Sequence, residues 1–106
     1  MDKDKKIQEL SMLQQNIANI SAQKQQFVSQ LTEFESASKA IDKTDNAYKI
    51  IGNIMIASDK EDIKKDLKEK QEMFAIRIKT LEKQENNLKE KAEAMQKDIM
   101  SRIDKE

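Results

Sequence analysis

The sequence predicts a mainly α fold: two helices folded back on each other as an antiparallel coiled coil, with a single β-hairpin at the bend. Two long polar segments, about residues 5–44 and 60–105, contain neither Gly nor Pro, the residues that most damage a helix interior. Each segment carries apolar residues at heptad spacing. Between them lies the one stretch of β composition, about residues 47–58, which holds the only glycine, Gly52. The 106 residues are read as a single domain with this three-part order.

In the first helix the seam runs Leu10, Leu13, Ile17, Ile20, Lys24, Phe27, Leu31, Phe34, Ser38 and Ile41, apolar except at Lys24 and Ser38. The second helix carries an equal seam at Leu67, Gln71, Phe74, Ile78, Leu81, Glu85, Leu88, Ala92, Met95 and Ile99, interrupted only at Gln71 and Glu85. Two matched seams in one chain are most simply each other's partners. One antiparallel register sets Leu10 against Met95, Ile17 against Leu88, Phe27 against Ile78 and Leu31 against Phe74. Every pair is equidistant from a midpoint between Gly52 and Asn53, so the seam and the bend point to the same turn. A parallel dimer of two chains is disfavoured because it would splay the β segments. The seam would extend roughly 50 Å at the ordinary helical rise. In this register Lys24 and Glu85 lie in adjacent layers within reach of one another; polar seam residues of this kind set register or reach solvent, and the alternative is a local loosening of the coil.

The β element has β-branched and aromatic residues on both sides of Gly52-Asn53, a pair suited to a tight hairpin turn. Strands are expected at about 47–51 and 54–58. Pairing Ile51 with Ile54 and Ile50 with Met55 puts Ile51, Ile54 and Ile56 on one face and Tyr48, Ile50, Met55 and Ala57 on the other. An isolated two-stranded hairpin is marginal in water, and its edges offer unpaired backbone groups. Joining several hairpins into a larger sheet or barrel would bury both faces and satisfy both edges. Oligomerisation through residues 47–58 is the expectation.

Apolar residues off the seam mark a second surface. Ile7, Met12, Met100 and Ile103 lie near the chain ends, where Leu10, Leu13, Met95 and Ile99 would complete an apolar patch. Methionine is flexible and polarizable, and is favoured on surfaces that accept many partners. These residues read as a promiscuous grip at the coil tips, or as a thickening of the end of the seam. Val28, Met73 and Ile76 lie off the seam further along the coil.

Charge and composition exclude several classes. Twenty Lys plus Arg balance twenty Asp plus Glu, which removes the basic footprint of a nucleic-acid binder. No segment approaches a membrane span, and the opening MDKDKKIQEL lacks the apolar core of a secretory signal. With no Cys, a cytoplasmic location is expected. There is no His, no Cys and no Gly-rich phosphate loop, and carboxylates on solvated helices make neither an acid-base pair nor a recognised metal site. The chain is expected to be no enzyme and to carry no cofactor and no metal.

The segment Tyr48-Lys49-x-x-Gly52 followed by an apolar strand, then Leu67-Lys68-Glu69, Ile78, Leu81-Glu82 and Gln84-Glu85, resembles the β-type subunits of the prefoldin family. The resemblance runs from about Leu10 to Ile99. Its single hairpin is similar to archaeal β-type subunits and to the sixth subunit of the eukaryotic complex, whereas α-type subunits have two hairpins. It implies a hexamer of two α-type and four β-type subunits, in which hairpins join into barrels. It further implies that coil tips hold unfolded or nascent polypeptides without ATP and deliver them to a group II chaperonin. On this sequence the assembly role would fall to Tyr48, Ile50, Ile51, Gly52, Ile54 and Ile56. The client-binding role would fall to Ile7, Leu10, Met12, Leu13, Met95, Ile99, Met100 and Ile103, with chaperonin docking around residues 99–106. The alternative function is a structural or scaffolding coiled coil that binds one defined protein partner.

Overall fold

The structure, a computed structural model, describes residues 2–105 and the side chains of residues 3–102. Helix α1 (Asp2–Ile41) is followed by strands β1 (Ala47–Ile51) and β2 (Ile54–Ser58) and by helix α2 (Lys60–Lys105). Contacts divide the chain into a hairpin unit, residues 26–78, and an end unit made by the residues up to Gln25 together with those from Lys79 onward.

The hairpin unit is organised around its aromatic rings. Phe74 of α2 sits edge-on to two rings of α1, with centroids 5.3 Å from Phe27 and 5.1 Å from Phe34 at interplanar angles of 76° and 86°. Edge-to-face geometry sets the positive rim of one ring against the negative face of another. Two cations extend the cluster, Lys70 at 5.8 Å from the Phe34 centroid and Arg77 at 5.7 Å from that of Phe27. Ile41 and Ile78 are buried, and Leu31, Ser38, Leu67 and Gln71 are largely covered. Leu31 is the α1 residue between the two rings that clasp Phe74, in agreement with the expected register.

α1 ends at Ile41, three residues before the limit read from composition, because the backbone tightens there. The Lys43 N–H donates to the Ala40 carbonyl (3.1 Å) and the Thr44 N–H to that of Ile41 (3.4 Å), a turn too tight to propagate an α-helix. The Thr44 hydroxyl then donates to the Asn46 carbonyl at 3.2 Å and turns the chain into β1. Across the bend Asp42 pairs with Lys64. The hydrogen bond from Lys64 holds the Asp42 carboxyl below its ordinary value, and the same bond raises Lys64. α2 starts on Asp59, whose carboxylate accepts the Glu61 N–H at 3.1 Å, and Glu61 and Asp62 place negative charge at the positive end of the helix.

β1 and β2 pair antiparallel in the expected register, Ile51 with Ile54, Ile50 with Met55 and Tyr48 with Ala57. Gly52 has φ 61°, and among the described residues no other residue type has positive φ. Positive φ at the first turn residue alone is the II′ pattern, whose twist matches the strands it joins.

In the end unit, Ile99 is buried and Leu10, Leu13, Ile17, Ile20, Leu81, Leu88, Ala92 and Met95 are largely covered. Lys6 forms an ion pair with Asp98. All twenty expected seam positions of the two helices are therefore covered. Among the described residues no helix is long and apolar enough to cross a membrane.

Candidate functional site

Two surfaces carry most of the exposed large apolar side chains. The first is the β-hairpin. Ile50 is 68% exposed and Met55 65%, and they face each other across the strands with Tyr48 and Ala57 on the same side, all exposed. On the opposite side Ile51, Ile54 and Ile56 are also exposed. That side holds the hairpin's one charge, Lys49, which reaches Asp66 of α2 at 3.8 Å. The Lys49 pair and the half-covered Ala47 and Ser58 mark the side turned toward α2. The sheet has two strands, so both outer edges lack a strand partner.

The second surface belongs to the end unit. A shallow groove of about 420 Å³ is lined by Glu9, Met12, Leu13 and Asn16 of α1 and by Lys91 and Met95 of α2. Three of the expected tip residues meet there: Met12, Leu13 and Met95. Leu10 and Ile99 instead pack in the seam, while Ile7 and Met100 are exposed but do not line the groove. The side chain of Ile103 lies outside the described residues. Glu9, Asn16 and Lys91 were missed by the apolar pattern. Their signal is spacing, since residues 9, 12, 13 and 16 lie along one helix face, as do 91 and 95. Val28 is half-covered, and Met73 and Ile76 are exposed on α2 in the hairpin unit.

Between the groove and the boundary of the end unit lies its one buried charge among the described residues. Glu85 is 5% exposed and accepts from Lys24 at 3.0 Å, with Lys89 at 3.5 Å. The expected reach between Lys24 and Glu85 is thus realised. The Lys24 hydrogen bond, helped by the charges of Lys24 and Lys89, outweighs burial and holds the Glu85 carboxyl below its ordinary value. A carboxylate whose folded value is depressed stabilises the fold fully above its unfolded value, near 4.5, and loses that contribution as pH falls through the folded value. Wild type is therefore expected to be more stable than Glu85→Gln at neutral pH, with the two converging as acid protonates Glu85. Urea unfolding of both proteins, from neutral pH down to about pH 2, checks this.

Both surfaces present side chains suited to contact with protein. A family model described as prefoldin subunit matches residues 4–106. The prefoldin subunit beta of Archaeoglobus fulgidus is 40% identical over 95 residues, covering 86% of this chain and 82% of the relative. That of Thermococcus onnurineus is 32% identical over 98 residues, covering 90% and 84%. The crystal structure of the prefoldin beta subunit from Thermococcus strain KS-1 superposes with a TM-score of 0.90 at 29% identity, covering 94% of this chain and 90% of that one.

Proposed function

The chain belongs to the prefoldin subunit family, and from that premise we propose that it is a β-type subunit of an ATP-independent chaperone that holds unfolded or nascent polypeptides. In this reading its hairpin joins those of other subunits in a hexamer of two α-type and four β-type chains. The ends of α1 and α2 contact the client, which passes to a group II chaperonin in the cytoplasm. The subunit catalyses no reaction, and the chain acts as a single domain.

The observation that carries this reading is the exposure of apolar side chains on the hairpin and along the end groove, which suits the first to assembly and the second to clients. The hairpin has two apolar faces and two open edges, which a closed arrangement of several hairpins would cover and pair together. The end groove is apolar, shallow and lined by methionine, and so suits apolar segments of varied shape. Such contacts are individually weak. Several subunits acting together raise the effective affinity by roughly 10²- to 10⁴-fold without any tight single site.

Aggregation of a chemically denatured model protein tests the proposal, with this chain alone and with an α-type prefoldin subunit. Suppression should require the partner and fall when the chain is truncated before Met95. Absence of suppression in both mixtures would point to a scaffold that binds one defined partner.

A further inference from the structure

The chain has six methionines and no cysteine, so thioethers are its only oxidisable sulfur. They differ sharply in position. Met12 is 64% exposed and lines the end groove, with the half-covered Met95 lining it from α2. Met100 is exposed without lining the groove, Met73 lies in the other unit, and Met55 sits on the hairpin face that assembly would cover. Among the described methionines only Met12 combines free access for a small oxidant with a place in the apolar surface that would touch a client.

We propose that Met12 is a modification site, at which hydrogen peroxide forms the sulfoxide and thereby weakens the hold on non-native polypeptides; this rests on the holding function proposed above. A sulfur lone pair attacks one peroxide oxygen, an S–O bond forms, and the O–O bond breaks. Sulfur loses two electrons, and the leaving hydroxide takes up the proton of the transferred oxygen to become water. The product replaces a flexible apolar side chain with a polar one that is a strong hydrogen-bond acceptor. An apolar client segment seated there would have to desolvate that acceptor without satisfying it. Lys91 lines the same groove, so an ammonium shares that surface with the new acceptor and favours a hydrated groove over an occupied one. The change is reversible by methionine sulfoxide reductases.

The test uses the complex assembled with an α-type subunit and treated with graded hydrogen peroxide. Sulfoxide at each methionine is read by peptide mass mapping, helix content by circular dichroism, and holding by aggregation suppression. For each variant the readout is the ratio of treated to untreated capacity. In wild type, conversion of Met12 should raise the amount of complex needed for equal suppression by roughly five- to tenfold, with helix content unchanged. Reductase treatment should restore it. Met12→Leu should keep a ratio near one, and Met100→Leu should behave as wild type. Suppression that survives full conversion of Met12 overturns the proposal, as does an equal loss in Met12→Leu. A complex that suppresses nothing before treatment overturns the holding function itself, and this inference with it.

Discussion

Ile50→Asp combined with Met55→Asp is expected to leave the chain helical and unassembled. The two residues are direct partners across β1 and β2, and each is about two-thirds exposed in the single chain. Carboxylates therefore cost the isolated chain little there beyond mutual repulsion. Assembly would enclose them. Burying an unpaired carboxylate costs several kcal/mol even after relaxation, and two facing each other cost more, enough to exceed the worth of two lost apolar contacts. Light scattering after size exclusion, with an α-type subunit present, should show a complex for wild type and separate chains for the double variant. Circular dichroism should be unchanged, because the face carrying Ile50 and Met55 is turned away from α2. Ile50→Val should still assemble. Persistence of the complex in the Asp variant would contradict assembly through this face.

Phe74→Ala is expected to destabilise the chain by about 3 kcal/mol, which corresponds to a melting temperature lower by roughly 10–20 °C. The ring is the shared member of two edge-to-face pairs, and Arg77 lies 6.0 Å from its centroid. Truncation removes both pairs and opens a void between Phe27 and Phe34 that the two helix backbones limit in closing. Each pair contributes about 0.5–1.5 kcal/mol beyond simple burial. Phe74→Leu keeps most of the volume and should cost appreciably less. A double-mutant cycle between Phe27→Leu and Phe74→Leu isolates the pair itself, and a coupling indistinguishable from zero would contradict the role given to the ring contact. Comparisons belong at one protein concentration, since association would add to apparent stability.

The helical seam and the hairpin were legible because each is written in local, periodic code. Branched and aromatic residues recurring at heptad spacing from Leu10 to Ile41 and from Leu67 to Ile99 dictate which helix faces are covered, and the same positions are covered in the structure. The strand limits followed from β-branched residues flanking Gly52, the one position with positive φ among the described residues. Even the polar interruption was readable, since Lys24 and Glu85 meet once the register is known. The groove was only half legible. Met12, Leu13 and Met95 stand out as apolar near the chain ends, whereas Glu9, Asn16 and Lys91 look like any other solvated residues until two helices place them side by side. Leu10 and Ile99 show the reverse: apolarity alone does not separate a residue that lines the groove from one that packs in the seam. The end of α1 was missed because residues 42–44 have no composition that forbids a helix. What stops it is the tight turn and the Thr44 hydroxyl bond.

The hairpin register continues the count of the coil seam, so that Ile51 with Ile54 and Leu31 with Phe74 belong to one symmetric series about the turn. Length and phase are then separable traits. Excising residues 11–17 together with residues 88–94 would shorten the coil by roughly 10 Å and leave every remaining pair with its original partner. Excising residues 11–17 alone would set Met95 against Lys3 and Ala92 against Lys6, in place of Leu10 and Leu13. Descendants of such a chain can vary in reach by paired heptads and keep every remaining layer in register, while any one-sided change of length shifts every layer between the cut and the free ends.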